Sequence, residues 1–541
     1  MHESTKARAG EARSAFLMLL KGIKSPEPKI ILHGPKRSTN MPESQYDVAI
    51  IGAGFSGPIL AANIAEKGVH PATRDRLKIA LIEAGPYLKG APRPGYGIPL
   101  RRQRFTNMRG QDPAFHWEDG GAKIVGGSSL HWQASAFLPF PIDYLHWQEE
   151  TGVDWTEENL REAVEETRRE FNVHPYPDEA NTRGNRLFYR VAKQMGYDPQ
   201  RQEGARRNCI YCGFCSGGHM CKYEARSSTL VSYIPKAEKY GVDILADTLV
   251  EKILIDAKGR RGVARGLICR GADSTYELTA DHIILACGYR KTPLLLMRSG
   301  YGPPEWAGNP IVVSNPNIGK HIDGHPRIPG IAAIFDDPMG DGEVGSVRGY
   351  FMINDNRKDA LGRLLFRADL GGGQFPALAA LNTFAPEFGW EHKKFMREGG
   401  IFRIGTLNPA MAKAPGRWAM DPDGRILYSG DHSLTIRRAK EALGISHEIL
   451  KKMGARKITS IDVPVPMTPT TSGSHRVGSC RAGIDPRTSV VNQYFESHDV
   501  DNLYIADASV IPRVTTGNTG TPQAAVTVFA AARIVERHFK G

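Results

Sequence analysis

A glycine-rich turn near residue 50 constrains the fold of this 541-residue chain more than any other segment. Residues 46–51 form an apolar run typical of a buried strand, and residues 58–67 have a helical pattern. Between them stand three glycines in the order G-x-G-x-x-G: Gly52, Gly54 and Gly57. The first glycine allows a tight turn, the second lets the backbone approach a pyrophosphate, and the third permits close packing of the helix on the strand. The segment therefore predicts a Rossmann-like α/β domain that binds a dinucleotide.

A second apolar strand, residues 78–82, ends at Glu83. A carboxylate at the end of this strand is placed to accept hydrogen bonds from a ribose diol. The interval from Gly57 to Glu83 is longer than usual, and the polar segment 71–76 accounts for it as an inserted loop. A glycine turn with a purely structural role is the alternative interpretation.

Residues 120–132 form a second glycine-rich turn, well outside the first strand–helix–strand unit. Gly126 and Gly127 can bring backbone N–H groups against a second part of a long cofactor. Two separate glycine-rich turns therefore favour FAD over NAD.

Four of the seven cysteines are close together in the sequence, at the spacing C-x2-C-x2-C-x5-C: Cys209, Cys212, Cys215 and Cys221. Three cysteines at a regular three-residue interval favour an iron–sulfur cluster, whereas structural zinc sites usually use two separated C-x2-C pairs. A disulfide with two spare thiols is a third interpretation, although neighbouring C-x2-C residues form strained bridges. A cluster would give a nucleotide-binding oxidoreductase a route for single electrons.

Composition limits the class of protein. The length and the 41% hydrophobic content indicate two or more well-buried domains. The net charge of +12 could attract acidic substrates, a redox partner or an anionic membrane surface, but the basic residues are not gathered into a nucleic-acid-binding stripe. No run is long enough to cross a bilayer, and the apolar stretch 15–20 is too short for a typical signal peptide. Export would therefore depend on another subunit.

The pattern of elements predicts a discontinuous architecture. Helices are expected at 155–172, 185–195 and 434–453, and residues 330–465 otherwise alternate apolar strands with glycine and proline turns. That segment should form an antiparallel sheet over the substrate pocket. The predicted parts are an N-terminal extension (1–45), an FAD-binding domain (46–140, 222–330 and 466–541), a substrate domain (141–204 and 331–465) and a cysteine loop (205–221).

Three C-terminal segments extend the pattern: S-H-R-V-G-S-C-R at 474–481, V-D-N-L-Y-I-A-D-A-S-V-I-P at 500–512 and G-N-T-G-T-P at 517–522. With these, the chain beyond residue 45 resembles the glucose-methanol-choline oxidoreductase family. The C-x-x-C-G-F-C stretch is similar to that of its gluconate 2-dehydrogenase-like flavoprotein subunits. The resemblance implies a Rossmann-like FAD-binding domain with an α+β substrate domain built on an antiparallel sheet.

The resemblance also implies roles for individual residues in holding FAD. Those matching the ADP-binding motif and the turn near the flavin are Gly52, Gly54, Gly57, Glu83, Gly126, Gly127 and Ser128. Asp507 matches an acidic residue beside the ribityl and pyrophosphate groups, and Val250 a position where backbone meets adenine. His131 either packs beside the flavin or attaches it covalently. One departure is G-Y-R-K-T-P-L-L-L from Gly288, which replaces a version with smaller residues.

His475 and Asn518 match the two active-site positions of the family. An imidazole with a near-neutral pKa can take the hydroxyl proton of an alcohol while hydride leaves the carbon for flavin N5. An asparagine can hydrogen-bond the same oxygen and so hold the C–H bond in place. We therefore expect His475 to be the general base and Asn518 a positioning residue. His321 and His325 could suggest a metal pair, but we expect their segment to be a connecting turn.

These observations predict an FAD-dependent dehydrogenase that oxidises an alcohol group, in particular a secondary one, of a sugar, sugar acid or polyol. Electrons would pass through a [3Fe-4S] or [4Fe-4S] cluster to a cytochrome or another acceptor. By resemblance, a small companion subunit would hold the protein at the periplasmic face of the inner membrane; the cytoplasm is the alternative location. The alternative functions are an oxygen-using oxidase with a structural or zinc-bound cysteine loop, and a non-catalytic flavin electron-transfer subunit.

Overall fold

The computed structural model describes residues 45–87, 117–118, 121–130, 132, 134–211, 225–326, 331–339, 349–356, 362–369, 389–390, 400–407, 417–430, 433–459 and 471–540. The expected N-terminal extension lies outside these ranges except for its last residue. Four residues with predicted roles also lie outside them: Cys212, Cys215, Cys221 and His131.

The α-helices of the described residues are α1 (Gly57–Lys67), α2 (Pro141–Thr151), α3 (Arg161–Glu170), α4 (Arg183–Gln194), α5 (Tyr233–Lys239), α6 (Gly288–Arg298), α7 (Ser433–Lys452) and α8 (Gly520–His538). Local sequence accounts for several of their starts. Helices α1 and α2 have proline in the first turn, where no helical amide partner is lost. Thr182 caps α4 by accepting a hydrogen bond from the Asn185 amide at 3.2 Å. The helices predicted at 185–195 and 434–453 correspond to α4 and α7.

The β-strands of the described residues are β1 (Gln45–Ile51), β2 (Ile79–Ile82), β3 (Trp117–Glu118), β4 (Gly121–Ala122), β5 (Ser135–Ala136), β6 (Val173–Pro175), β7 (Gln200–Arg201), β8 (Glu203–Ala205), β9 (Asp243–Leu245), β10 (Leu249–Lys258), β11 (Arg261–Arg270), β12 (Thr275–Leu285), β13 (Tyr301–Gly302), β14 (Val313–Ser314), β15 (Asp323–Pro326), β16 (Ile331–Phe335), β17 (Tyr350–Asn356), β18 (Gly362–Asp369), β19 (Gly400–Leu407), β20 (Arg417–Met420), β21 (Ile426–Ser429), β22 (Lys457–Thr459), β23 (Thr471–Val477), β24 (Val500–Asp501) and β25 (Leu503–Ile505).

The larger sheet is a Rossmann-like sheet with an antiparallel arm. Its order is β10-β11-β12-β1-β2-β9, and β24 and β25 add to β11 and β12. Strands β25, β12, β1, β2 and β9 run parallel, whereas β11 runs antiparallel to both β10 and β12. All four residues of β2 are buried, as expected for a strand covered on both faces. Helix α1 packs against α5 and α8.

The parallel strands bring residues from distant parts of the chain to one edge. Ile51 of β1 pairs in register with Ile82 of β2 and with Leu285 of β12, and Leu285 pairs with Ile505 of β25. The residues just beyond these four strand ends therefore meet at the carboxyl edge of the sheet: Gly52, Glu83, Gly288 and Asp507. Open α/β sheets bind their ligands at this edge.

The second sheet is antiparallel, with the order β22-β16-β19-β18-β17-β7. Its core includes Phe188 of α4, Phe402 of β19 and Ala439 of α7, so the two helices cover one face. On β17, Met352 belongs to this core, whereas its neighbour Phe351 packs against Phe137, with ring centroids 5.1 Å apart. Apart from β7, the strands of this second sheet lie in the segment 330–465, where the antiparallel sheet was predicted.

The predicted fold class is confirmed: a Rossmann-like α/β domain accompanied by a sheet-containing substrate domain. The sequence boundaries of the two domains stay predictions. No helix in the described ranges combines the length and apolar character needed to cross a bilayer.

Candidate active site

The three glycines of the first turn have different surroundings. A Cβ on Gly57 would lie 1.8 Å from the Gly52 carbonyl oxygen, and Gly52 has a φ of +99°. These two glycines are therefore required by the turn itself. A Cβ on Gly54 would meet only the Cα of Gly127, at 4.0 Å, so this glycine borders open space. That is the arrangement needed where a pyrophosphate approaches the backbone.

Glu83 organises the loop around the nucleotide turn. It is buried, and its two carboxylate oxygens accept hydrogen bonds from the amides of Ala53 at 3.0 Å and Gly85 at 2.9 Å. Burial raises the pKa of this carboxyl despite those bonds. A carboxylate has about four acceptor positions, and the backbone amides leave room for a ribose hydroxyl to donate to it.

The second glycine turn packs directly on the first. The Gly126 amide donates to the Ala53 carbonyl at 2.8 Å, and a Cβ on Gly127 would lie 2.6 Å from the Gly54 Cα. Ser128 and its neighbours form the short 3-10 helix Gly127–Leu130. The two turns that the sequence assigned to separate parts of one cofactor therefore line one continuous surface.

Asp507 joins the C-terminal motif to the start of α6. Its side chain accepts hydrogen bonds from the Gly288 amide at 2.7 Å, the Thr292 hydroxyl at 2.6 Å and the Ser509 amide at 2.7 Å. Burial raises the pKa of this carboxyl, and the hydrogen bonds oppose that shift. A Cβ on Gly288 would meet nothing within 4 Å, so the amino end of α6 also borders open space.

His475 and Asn518, predicted as the active-site pair, are in contact. The Asn518 amide nitrogen lies 3.2 Å from Nε2 of His475. On the other side of the same imidazole, Nδ1 lies 2.9 Å from Nδ1 of His325, and Nε2 of His325 lies 2.8 Å from the Thr515 carbonyl. Sequence reasoning treated the His325 segment as a connecting turn and gave this residue no part in the site.

Buried side chains fix the backbone that leads to Asn518. The Arg513 carbonyl accepts from the Trp147 indole at 3.0 Å, and the Val514 amide donates to Asp323 at 3.0 Å. The Thr516 amide and hydroxyl both donate to Asp143 at 2.8 Å. Asp143, Trp147 and Asp323 are thus supporting residues that the sequence did not reveal, because each acts on a segment at least 190 residues away.

Helix α8 connects the His475–Asn518 pair to the nucleotide turn. It begins at Gly520, where a Cβ would lie 2.9 Å from the Trp132 ring and 3.6 Å from Phe55. The Gln523 amide donates to the Ser56 hydroxyl at 2.9 Å. The two halves of the site are therefore joined by direct contacts through α8.

Backbone hydrogen bonds join the two chain segments that flank the cysteines, residues 205–207 and 225–227, and we call this pair of segments the neck. The Arg207 amide donates to the Ala225 carbonyl at 2.7 Å, and the Ser227 amide donates to the Ala205 carbonyl at 3.1 Å. Cys209, just beyond the neck, is half-buried and its sulfur accepts from the Tyr211 amide at 3.4 Å. The other three predicted ligands lie outside the described residues. Within the described residues, no group of three or more side chains could hold a metal ion.

Thr229, two residues after the neck, contacts both glycine turns. The Thr229 hydroxyl donates to the Gly54 carbonyl at 2.9 Å, and the Thr229 amide donates to the Ser129 hydroxyl at 3.0 Å. The segment that follows the cysteine loop therefore contacts the predicted cofactor site.

Val250 is the last of the predicted cofactor-binding positions, and two further cysteines lie outside the cysteine loop. Val250 lies in β10, two residues after Thr248, whose amide donates to the Glu83 carbonyl at 2.9 Å. Cys269 and Cys480 are buried free thiols. Burial raises the pKa of Cys269 to about 12 and that of Cys480 well above its ordinary value, so both thiols are protonated at neutral pH.

Two family models described as GMC oxidoreductase match the chain, at residues 104–327 and 420–527, which together make more than half of it. The chain therefore belongs to the glucose-methanol-choline oxidoreductase family. Its open glycine surface, the carboxylate after β2 and the amino end of α6 fit FAD, and the fold is that of flavoproteins of this family. The protein is a flavin oxidoreductase that acts on alcohol groups.

Curated relatives include both dehydrogenases and oxidases. The fructose dehydrogenase large subunit of Gluconobacter japonicus is 25% identical, over 90% of this chain and 97% of that protein. Choline oxidase of Arthrobacter globiformis is 28% identical, over 88% of this chain and 92% of that protein.

Solved structures share the fold. Pyridoxine 4-oxidase from Mesorbium loti superposes with a TM-score of 0.62 at 17% identity, covering 90% of this chain and 98% of that one. A formate oxidase has a TM-score of 0.67 at 17% identity, covering 92% of this chain and 99% of that one.

Proposed function

We propose that the protein is a dehydrogenase that oxidises an alcohol group, in particular a secondary one, of a sugar, sugar acid or polyol. The observation that carries this proposal is the contact between His475 and Asn518, 3.2 Å apart beside the start of α8, the helix whose Gln523 bonds to Ser56 in the nucleotide turn. A base and an amide donor side by side can both engage one hydroxyl oxygen.

FAD, when bound, supplies the acceptor for the hydride that leaves the alcohol carbon. His475 takes the hydroxyl proton at Nε2, and Asn518 donates a hydrogen bond to the same oxygen. Asp143 and Asp323 hold the backbone before Asn518 so that neither group needs to reorganise during the reaction.

We further propose that the cysteine loop binds an iron–sulfur cluster which carries electrons one at a time to an acceptor. The support is the spacing of Cys209, Cys212, Cys215 and Cys221, together with the short path from the neck to the glycine turns. Two buried arginines, Arg206 and Arg226, pair across the neck, and their positive charge suits a cluster held by anionic thiolates.

The acceptor in this proposal is a cytochrome, reached with a small companion subunit at the periplasmic face of the inner membrane. The similarity to a fructose dehydrogenase large subunit supports a sugar substrate and a protein of several subunits.

An oxygen-using alcohol oxidase is the second candidate. The similarity to choline oxidase favours it, because that relative is 28% identical over 88% of the chain. In that case the cysteine loop has a structural role or binds zinc.

The test is turnover by the purified protein with a panel of sugars, sugar acids and polyols. We expect reduction of an artificial acceptor such as ferricyanide without oxygen consumption, and a loss of about 10²- to 10⁴-fold in His475→Ala. The exposed His447→Gln is the matched control and should keep its rate. Oxygen consumption equal to substrate oxidation would establish the oxidase instead. If no alcohol bleached the flavin, the result would favour the third function, a non-catalytic flavin electron-transfer subunit.

A further inference from the structure

His325 and His475 stand side by side on two paired strands. Strand β15 runs antiparallel to β23, with Asp323 opposite Val477 and Gly324 opposite Arg476. Only 1% of His325 is exposed, and the two imidazole rings are nearly perpendicular, with centroids 5.0 Å apart. The contact joins the two Nδ1 atoms at 2.9 Å.

The hydrogen-bond partners determine which nitrogen of each ring carries a proton. The Thr515 carbonyl, 2.8 Å from Nε2 of His325, can only accept, so Nε2 of His325 must carry a hydrogen. A neutral imidazole has one N–H, and Nδ1 of His325 is therefore an acceptor. It follows that Nδ1 of His475 donates to it, and that Nε2 of His475 has a lone pair directed to the side of Asn518. The Asn518 amide, 3.2 Å away, donates to that lone pair.

We propose that His325 is a positioning residue that holds His475 in the Nδ1–H tautomer, which is the tautomer that can act as base through Nε2. The inference rests on the proposed function, in which Nε2 faces the alcohol. It adds to that function a residue that touches neither the substrate nor FAD but sets the protonation state of the base.

The arrangement also sets the path of the proton. The alcohol O–H bond breaks and its proton bonds to Nε2 of His475, while the hydride leaves the carbon with its electron pair for FAD. The Nδ1 proton can then be shared with Nδ1 of His325. It can go no further, because the Thr515 carbonyl already receives the hydrogen on the far nitrogen. The proton must therefore leave through Nε2 of His475, on the substrate side.

Two substitutions separate the tautomer role from simple packing. In His325→Asn, the side-chain oxygen can occupy the place of Nδ1 and still accept from His475. In His325→Gln, the longer amide can still donate to the Thr515 carbonyl, but no acceptor remains at the place of Nδ1. A purely structural role predicts equal loss in both variants, or greater loss in His325→Asn, because that variant gives up the bond to the backbone.

The direct measurement is nitrogen NMR of the FAD-loaded enzyme labelled with ¹⁵N-histidine, with the His475 signals assigned by difference from His475→Asn. We expect His475 protonated at Nδ1 in the wild type and in His325→Asn, and a loss of that tautomer in His325→Gln. Wild-type His475 protonated at Nε2 alone would overturn the inference, whatever the substrate proves to be.

Turnover provides the second readout. With any alcohol that the wild type oxidises, kcat of His325→Gln should fall about 10²-fold, whereas His325→Asn should stay within about tenfold and KM should change little in both. FAD content and the temperature of unfolding show that each variant folds. Equal rates in the two variants would contradict the inference and leave the role of His475 intact. Absence of alcohol oxidation by the wild type would instead contradict the proposed function, and the NMR result would still decide the tautomer.

Discussion

At the scale of single residues, Gly54 and Gly57 allow a direct test of how the nucleotide turn works. Gly54→Ala places its methyl group in open space 4.0 Å from the Gly127 Cα, so the fold should keep its stability to within about 1 kcal/mol. The affinity for FAD should fall at least about tenfold, because the methyl group occupies the place of a phosphate. Gly57→Ala forces its methyl group to 1.8 Å from the Gly52 carbonyl oxygen and should cost on the order of 3 kcal/mol or more in folding.

The measurement is flavin titration of the apoproteins together with their unfolding in urea. Gly444→Ala, at an exposed position of α7 where a Cβ would meet nothing within 4 Å, controls for a general effect of replacing glycine. If Gly54→Ala bound FAD as tightly as the wild type, the pyrophosphate would not lie against this turn.

The residues that could be predicted from sequence are those that belong to a local motif. Gly52, Glu83 and Asp507 each follow a strand, and parallel strands with a common carboxyl edge bring such residues together. His325 and Asp323 could not be assigned in this way, because their roles depend on the pairing of β15 with β23, some 150 residues later. The only local signal was the position of His325 before a proline at the end of a short strand.

At the scale of elements, the segment from the neck to α5 connects the cysteine loop with both glycine turns. In Thr229→Val the shape is kept, but the hydroxyl that donates to the Gly54 carbonyl is lost. We expect the free energy of unfolding to fall by about 1–3 kcal/mol, because the carbonyl loses its buried donor. Unfolding in urea measures the change.

Thr488→Val is the matched control, since Thr488 is exposed on a turn. Its free energy of unfolding should stay within about 0.5 kcal/mol of the wild type. Equal stability of Thr229→Val and the wild type would show that the Thr229 bond does not hold the turns.

Element boundaries were harder to predict than element types. The helix expected at 155–172 is α3, and it begins only at Arg161. Trp155 is instead fully buried against Phe495, with stacked rings 5.0 Å apart, and its indole donates to the Gln493 carbonyl at 3.2 Å. Tertiary packing of one large side chain therefore outweighs the helical periodicity. The sequence near Trp155 gives no sign that residues 493–495 are its partners.

At the scale of the whole molecule, a histidine cluster ties the end of α8 to the parallel sheet and should make stability depend on pH. His282 on β12 bonds to the Tyr504 hydroxyl at 3.1 Å and packs beside His538. Burial, helped by the charge of His538, lowers the pKa of His282 to about 4. The unfolded chain takes up this proton near pH 6.5, so the stabilisation is complete above pH 6.5 and is lost as the pH falls towards 4. The loss is at most about 3 kcal/mol.

His282→Gln removes the titrating group, and we expect a flatter dependence of unfolding free energy on pH between 6.5 and 4. The exposed His447→Gln should leave the slope unchanged. An unchanged slope in His282→Gln would contradict this assignment.

Glu496 affects stability in a lower pH range. Burial alone would raise its pKa, but hydrogen bonds from His538, Asn492 and Arg537 hold the pKa at about 2. Its contribution is therefore lost only below about pH 4.5.

The central claim is that alcohol oxidation at the flavin is coupled to a cluster in the cysteine loop. The measurement that tests it most directly is an absorbance and electron paramagnetic resonance spectrum of the anaerobically purified protein, with iron and zinc assayed on the same sample. We expect flavin bands, a cluster signal and three or four iron atoms per flavin. Flavin without iron, or with zinc in its place, would contradict the relay and favour an oxidase.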